Sequence, residues 1–394
     1  MDKQTIDKQI LLLPGPTQIP PQVALAMAQP AINHRGPEFK ALLKEVTAGL
    51  KEVFQTRSEV VILTASGTGG MEAAVTNFIS PGEKALVVSI GNFGERFAKI
   101  CKTFGVDVEV MSFPYGQAAD PQAVAERLQA DTKHEIKAVL VQHNETSTGV
   151  LNDIEAISRA RGNHPALLIV DCISGLVAAD FQTDNWNVDV AIAGSQKAFM
   201  LPPGLSMLAV NERAWQVAER CQNRSFYLNL LAAREFLHNK GSTPYTPAVA
   251  IFFGLKESLR LLQEETLPAS IARHALMRDM VRAGVRALGL ELLAADEVAS
   301  PAVTAVMVPE GMKPADIRKP LLEKFGIVVA GGQSKVKDKI FRIGHLGYVS
   351  FAELFAALAA LEAVLVDAGM AVEPGAGVAA AREVLQAGLN KQGR

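Results

Sequence analysis

Short apolar runs alternate with longer amphipathic stretches along the first half of the chain. The runs are six or seven residues long, and most are apolar throughout rather than at every second position. Strands that are buried on both faces have this pattern. We predict strands at residues 59–65, 85–90, 106–111, 136–142, 166–171, 189–194 and 205–210.

The stretches between these runs are long enough for crossover helices, which parallel strands require. We predict helices at residues 71–79, 93–104, 121–128 and 154–161. This alternation of strands and helices indicates an α/β core with a mostly parallel sheet over about residues 55–215.

The pattern changes near residue 267, where helical and strand-like segments follow one another less regularly. We predict helices at 270–288, 315–325, 350–366 and 375–390, and strands at 303–308, 327–330 and 339–343. These elements suit a smaller α+β domain. The expected organisation is an N-terminal arm (1–20), a large α/β domain (21–266) and a small C-terminal α+β domain (267–394).

Composition and charge exclude several classes of protein. The 394 residues are 49% hydrophobic, and 39 Lys and Arg against 41 Asp and Glu give a net charge of −2. This balance argues against a nucleic-acid partner held by bulk charge. Cys101, Cys172 and Cys221 are too far apart for a disulfide scaffold or a cysteine-rich metal site. Without a long apolar window, we expect a cytoplasmic protein with neither a membrane nor a metal partner.

A glycine-rich turn follows the first predicted strand. Residues 66–70 read Ser-Gly-Thr-Gly-Gly and open a predicted helix, so their backbone N–H groups could bind a phosphate. Glu72 occupies a position that a dinucleotide fingerprint needs as glycine, and the chain lacks the Gly-Lys-Ser/Thr of a P-loop. A capped strand-to-helix turn without a ligand remains the alternative.

Polar residues at the ends of other apolar runs are further candidates. Asp171 ends one predicted strand, Lys197 and the cluster His-Asn-Glu-Thr-Ser-Thr-Gly at 143–149 each follow another, and Arg342 stands among apolar residues. Each has a plain alternative as a capping, solvated or edge-strand residue. Together with the 66–70 turn they meet the needs of pyridoxal phosphate chemistry: a phosphate site, an imine-forming lysine, an aspartate for the ring nitrogen and an arginine for a carboxylate.

Several segments resemble the class V pyridoxal-phosphate aminotransferases, in particular the alanine–glyoxylate and serine–glyoxylate (serine–pyruvate) group. The segments are LLLPGPTQIPP, NHRGPEF, SGTGGMEAAV, HNETSTGV, LLIVDCISG, AIAGSQKAFMLPPGLSML, TPYTPAVA and FRIGHLG. The similarity runs from about residue 11 to residue 365. It implies the fold-type-I aminotransferase architecture, pyridoxal 5′-phosphate as the cofactor and a homodimer with shared active sites.

The resemblance also implies a role for each matching residue. Lys197 would form the internal aldimine and move the substrate proton, Asp171 would pair with the ring nitrogen, and Thr146 would bind the ring hydroxyl. Phe93 would stack on the ring, and Gly15 and Arg342 would contact the substrate. The cofactor phosphate would lie near Ser66, Gly67, Thr68 and Gln196, and near Thr243, Tyr245 and Thr246 of a neighbouring subunit.

The activity that the resemblance implies is a ping-pong transamination between alanine or serine and glyoxylate. One alternative is a transaminase with another small oxo-acid acceptor. Another is a cysteine desulfurase of the same fold, although no cysteine follows Cys221. A cofactor-free scaffold is a third alternative, and the presence of both Lys197 and Asp171 weakens it.

Overall fold

The computed structural model describes residues 9–222 and 225–392. Residues 1–8 of the predicted arm, and 393–394, lie outside the described residues. The strands are β1 (Ile10–Leu12), β2 (Glu59–Leu63), β3 (Lys84–Ser89), β4 (Asp107–Ser112), β5 (Ile136–Gln142), β6 (Asn144–Glu145), β7 (Val150–Leu151), β8 (Leu167–Asp171), β9 (Val190–Gly194), β10 (Ser206–Val210), β11 (Val303–Met307), β12 (Ile327–Gly331) and β13 (Ile340–Gly344).

Thirteen α-helices occur in the described residues, and they cover every predicted helical stretch. They are α1 (Pro21–Met27), α2 (Pro37–Phe54), α3 (Gly67–Phe78), α4 (Asn92–Thr103), α5 (Pro121–Gln129), α6 (Ile154–Arg161), α7 (Glu212–Ala218), α8 (Leu230–Lys240), α9 (Val249–Glu265), α10 (Leu267–Ala287), α11 (Pro314–Phe325), α12 (Phe351–Asp367) and α13 (Ala376–Gln392). Helix α3 begins four residues before the predicted start, because the glycines of the turn are themselves helical.

A seven-stranded sheet forms the centre of the larger part of the molecule. Its strand order is β2-β10-β9-β8-β5-β3-β4, and all its strands are parallel except β10, which runs against both neighbours. Apolar side chains pack on both faces, under helices on either side. Burial on both faces explains why these strands are apolar throughout, as the sequence predicted.

The second sheet has four strands in the order β1-β12-β13-β11. Its strand β1 comes from the N-terminal segment and pairs in parallel with β12, with Leu11 opposite Val328. Helices α10, α11 and α12 supply much of its core. This mixed sheet, antiparallel except for the β1–β12 pair, forms with its helices the smaller α+β unit that the sequence predicted, completed by a strand from the other end of the chain.

The parallel strands of the large sheet end at one common edge. Asp171 is the last residue of β8, and the residues that follow β2, β3, β5 and β9 lie at the same edge. Open α/β sheets bind ligands at this edge. The predicted site residues that follow these strands therefore converge, although they are far apart in the sequence.

Candidate active site

A cavity of about 160 Å³ lies at this edge and gathers many of the predicted site residues. Its wall is formed by the turn at the start of α3, the first turn of α4 and the loops after β5, β8 and β9. The predicted residues that line it are Gly67, Thr68, Phe93, Thr146, Asp171, Gln196 and Lys197. Ser66 directly precedes this wall as the N-terminal capping residue of α3.

Lys197 is a buried lysine in the loop between β9 and β10. Its Nζ donates a hydrogen bond to the carbonyl oxygen of Pro14 at 2.5 Å. Burial, together with the nearby charge of Arg342, lowers the pKa of Lys197 to about 8, although the Asp171 carboxylate acts in the opposite direction. The amine is therefore partly unprotonated near neutral pH, which a nucleophile or a base requires.

Asp171 is buried at the end of β8, where its Oδ1 accepts a hydrogen bond from the backbone N–H of Ile173 at 3.0 Å. Burial raises the pKa of Asp171 to about 7, and the Ile173 N–H acts in the opposite direction. A cationic neighbour would stabilise the ionised form of this buried carboxyl, because a positive charge offsets the lost hydration.

Gly67, the first residue of α3, packs closely against Ile173 in the cavity wall. A Cβ at Gly67 would lie 2.6 Å from Cδ1 of Ile173, so a larger residue there would displace the Ile173 side chain. The first N–H groups of a helix have no intrahelical acceptor, and they favour an anion. The buried Oε1 of Gln196 has no hydrogen-bond partner, so the cavity contains an acceptor that no protein group satisfies.

The first turn of α4 is fixed by a buried carboxylate. The Oε2 of Glu145 accepts hydrogen bonds from the backbone N–H groups of Phe93 and Gly94 at 3.0 and 3.2 Å. Its Oε1 accepts from the Ser147 hydroxyl at 2.6 Å, and that hydroxyl accepts from the Asn92 N–H. The Phe93 ring is thereby anchored beside the cavity through its own backbone.

Arg342, on β13, reaches the same region from the small sheet. Its Nε donates to the carbonyl oxygen of Gly331 at 2.8 Å, and its Nη1 donates to that of Thr146 at 2.9 Å. Burial lowers the pKa of Arg342 to about 10, and Glu145 opposes this effect. Within the described chain no group accepts a hydrogen bond from its Nη2, so that nitrogen can serve a carboxylate.

Gly15, which the resemblance assigns to the substrate entrance, lies directly against Lys197. Its φ is +114°, and a Cβ there would lie 2.4 Å from the Lys197 Nζ. Beyond it, the hydroxyl of Thr17 donates to the carbonyl oxygen of Lys197 at 2.8 Å. The N-terminal segment therefore forms part of the wall around the lysine.

Thr243, Tyr245 and Thr246 do not line the cavity of their own chain. The Thr243 hydroxyl donates to the Tyr245 carbonyl oxygen at 2.7 Å, and the Tyr245 hydroxyl donates to the carbonyl oxygen of Phe226 at 3.0 Å. Arg35 holds this loop by donating to the Pro244 carbonyl oxygen at 3.1 Å. The loop lies at the surface, where Thr246 is exposed.

Several residues of the cavity wall had no assigned role in the sequence analysis. Arg96 follows Phe93 by three positions, which places both on one face of α4, and this spacing could have revealed it. Ser174 accepts hydrogen bonds from Asn144 Nδ2 and from the Thr146 hydroxyl, at 2.9 and 2.7 Å. Nothing in the sequence pattern predicts that contact.

The cavity suits pyridoxal phosphate in the chemistry of its lining. It combines a lysine of lowered pKa, a buried aspartate that a cation would favour, and the helix terminus beside the unpartnered Gln196 oxygen. In residues 9–222 and 225–392 no three His, Cys, Asp or Glu side chains are grouped so as to hold a metal ion. The same residues include no helix with the length and hydropathy of a membrane span.

Curated relatives match nearly the whole chain. The chain is 44% identical to the small subunit of a soluble hydrogenase from Synechococcus sp. (strain PCC 6716), with 96% of this chain and 99% of the relative covered. It is 40% identical to the L-aspartate–glyoxylate aminotransferase of Paracoccus denitrificans, with 95% of each covered. It is 39% identical to the serine–glyoxylate aminotransferase of Methylorubrum extorquens, with 95% of this chain and 96% of the relative covered.

A solved structure and a family model agree with this similarity. The alanine–glyoxylate aminotransferase of Nostoc sp. superposes with a TM-score of 0.88 at 28% identity, covering 93% of this chain and 97% of the other. The model of the family described as aminotransferase class-V matches residues 10–353. Fold, cavity and similarity thus lead to one conclusion: this chain belongs to the class V aminotransferases, enzymes that depend on pyridoxal phosphate.

Proposed function

We propose that this aminotransferase transfers the amino group of alanine or serine to glyoxylate in a ping-pong reaction. The observation that carries the proposal is the convergence of Lys197, Asp171 and Arg342 on one small cavity and its rim. A lysine with a pKa of about 8, a buried aspartate and a buried arginine with a donor to spare are the three groups that amino transfer to an oxo acid needs.

Bound pyridoxal phosphate supplies an electrophilic aldehyde and a ring that withdraws electrons. Lys197 would hold the cofactor aldehyde, and its Nζ would be the base for the Cα proton of the amino acid. Burial keeps the pKa of that amine near neutrality, so the same nitrogen can accept and return a proton. Asp171 would favour a protonated ring nitrogen, because a positive charge offsets the cost of burying its carboxylate.

Arg342 would bind the substrate α-carboxylate through its unused donors. Its Nε and Nη1 are held by two backbone carbonyl oxygens, so the guanidinium plane is fixed before the substrate arrives. The small cavity and the absence of a side chain at Gly15 favour substrates with few atoms beyond Cα. Glyoxylate, alanine and serine satisfy that limit.

The names of the relatives support glyoxylate as the acceptor more strongly than they support alanine or serine as the donor. Three carry glyoxylate in their names, combined with aspartate, serine or alanine. Because serine differs from alanine by a single hydroxyl, both fit the same size argument, whereas aspartate adds a second carboxylate. A homodimer with shared active sites is part of the proposal, since Thr243, Tyr245 and Thr246 lie at the surface rather than in their own cavity.

A matrix of donors and acceptors tests this proposal. Purified holoenzyme is given alanine, serine, aspartate or cysteine with glyoxylate, pyruvate or oxaloacetate, and kcat/KM is measured for each pair. We expect alanine or serine with glyoxylate to give the highest value, and parallel lines in double-reciprocal plots. Preference for aspartate, or release of sulfide from cysteine, would contradict the donor assignment. Lys197→Ala serves as the inactive reference and Lys99→Ala, on the exposed face of α4, as its matched control.

A further inference from the structure

We propose that Arg96 supplies the positive charge that this chain offers to the phosphate group of its cofactor. Arg96 lies on α4 one turn after Phe93 and lines the same cavity as Thr68, Gln196 and Lys197. The inference rests on the cofactor of the family and is independent of the donor and acceptor proposed above.

The guanidinium of Arg96 has few protein partners. Its Nη1 donates to the hydroxyl of Thr68 at 3.2 Å, and its Cζ lies 4.5 Å from the centre of the Phe93 ring. It forms an ion pair with no carboxylate in the part of the chain that the structure describes. A guanidinium carries five N–H donors, so most of its capacity is available to an anion at the cavity wall.

The group that Arg96 does contact is part of the anion site. Thr68 is the second residue of α3, and the N–H groups of Gly67 and Thr68 begin that helix without intrahelical acceptors. Gln196 lines the same cavity, and its buried Oε1 is an acceptor without a hydrogen-bond partner, so that oxygen does not serve the phosphate. A phosphate monoester would accept hydrogen bonds from the two N–H groups, from the Thr68 hydroxyl and from the Arg96 guanidinium.

A dianion also needs a formal positive charge nearby. Two cationic side chains line this cavity, Lys197 and Arg96. The Lys197 amine is held at the Pro14 carbonyl oxygen and is reserved for the aldehyde. Arg96 is the cation that forms a hydrogen bond with the turn at the start of α3. It is therefore the residue that would supply positive charge to the cofactor phosphate.

The test compares two aldehydes that differ only in the phosphate. The full-length chain is stripped of cofactor and titrated with pyridoxal phosphate and, separately, with pyridoxal, while absorbance reports binding. Arg96→Gln is expected to raise the Kd for pyridoxal phosphate by about 10- to 100-fold, the size of one lost charge-assisted hydrogen bond. The Kd for pyridoxal is expected to stay within about twofold, because pyridoxal has no phosphate for Arg96 to meet.

Two further variants and one further ligand sharpen the comparison. Lys99→Gln removes an exposed cation from the same helix and should leave both Kd values unchanged. Arg96→Lys keeps the charge and should recover part of the lost affinity. Inorganic phosphate should raise the melting temperature of the stripped wild-type chain and have less effect on Arg96→Gln.

Two outcomes would overturn the inference. An equal loss of affinity for both aldehydes would mean that Arg96 acts through the Phe93 ring and not on the phosphate. Unchanged affinity for both would mean that Arg96 does not contact the phosphate. Because binding is measured without substrate, neither result depends on whether glyoxylate is the acceptor.

Discussion

At the scale of single residues, Gly15 is a position where one methyl group should abolish activity. A Cβ there would lie 2.4 Å from the Lys197 Nζ, and the φ of +114° disfavours any L side chain. We expect Gly15→Ala to lower kcat/KM at least about 100-fold, since a displacement of the reacting group by about 1 Å has that cost. Trapping of the cofactor on Lys197 by borohydride, followed by peptide mass analysis, would show a matching loss.

Gly82→Ala separates crowding from backbone strain in this experiment. Gly82 also has a positive φ, +85°, but a Cβ there would meet nothing within 4 Å. Both variants strain the backbone, and only Gly15→Ala should lose activity. Equal losses of activity in the two variants would show that the close approach to Lys197 is unimportant.

Asp171 is expected to destabilise the cofactor-free protein while it serves catalysis. Burial raises the pKa of Asp171 to about 7 in the folded chain, whereas an unfolded aspartate has a pKa of about 3.9. Ionisation therefore costs more in the folded state, and stability is lost as the pH rises from about 4 to 7. At 1.36 kcal/mol per pKa unit, the loss is a few kcal/mol above pH 7.

We accordingly expect Asp171→Asn, stripped of cofactor, to be more stable than the wild type at pH 8 by a few kcal/mol. The difference should shrink as the pH falls toward 4 and disappear below it, where the wild-type carboxyl is protonated in both states. Urea unfolding at a series of pH values measures it, with the exposed helix cap Asp153→Asn as the control. A less stable Asp171→Asn at pH 8 would contradict the expected cost of burying this carboxylate.

Sequence patterns located the residues that follow a strand end, because one edge of a parallel sheet collects them all. Lys197, Asp171 and the turn at Gly67 were found this way. The contact between Ser174 and Thr146 joins two loops by tertiary packing, and no local pattern encodes it. The sequence predicted Glu145 only as one member of a polar cluster. Its role as a helix cap could not be predicted, because the backbone N–H groups of α4 that donate to it lie 52 and 51 positions away in the sequence.

At the scale of secondary-structure elements, the capping of α4 by Glu145 should contribute strongly to stability. The carboxylate accepts hydrogen bonds from three backbone N–H groups and one hydroxyl in a fully buried position. An amide can accept on only one of its two atoms, so Glu145→Gln leaves buried donors unpaired. We expect a cost of about 2–3 kcal/mol in urea unfolding, the range for hydrogen bonds to a charged group.

Asp120→Asn provides the matched comparison for this prediction. Asp120 also caps a helix, α5, by accepting from the Gln122 N–H, but at an exposed position. Asparagine caps a helix about as well as aspartate, so the cost should stay below about 0.5 kcal/mol. An equal loss of stability in the two variants would show that burial of the Glu145 carboxylate does not increase its contribution to stability.

Most strands and many helices were predicted from the sequence, whereas helices α1, α2 and α9 and two strand pairings were not. The strand at 205–210 was expected, yet its apolar run carries no sign that β10 runs antiparallel to β9 and β2. Strand β1 pairs with β12 across more than 300 positions of sequence. Hydrophobic periodicity reports which face of an element is buried and gives no information on the partner strand.

At the scale of the whole molecule, an exposed aromatic surface leads to our last prediction. Phe226 is 80% exposed and Tyr227 is 48% exposed, and the rings of Tyr227 and Tyr245 stack at 5.3 Å between centroids. Aromatic side chains are enriched at protein interfaces, and monomers seldom expose them together. This surface adjoins the loop of Thr243 and Thr246, which does not face the cavity of its own chain.

We expect the wild type to elute with the mass of a homodimer in size-exclusion chromatography with light scattering. Phe226→Glu combined with Tyr227→Glu should shift the mass toward the monomer and lower the affinity for pyridoxal phosphate, because a charge at the centre of an apolar interface is costly to bury. Leu322→Glu, at an exposed apolar residue on α11, should leave both properties unchanged. A doubly substituted monomer that retains wild-type cofactor affinity would refute shared active sites, and a wild-type monomer would refute the dimer itself.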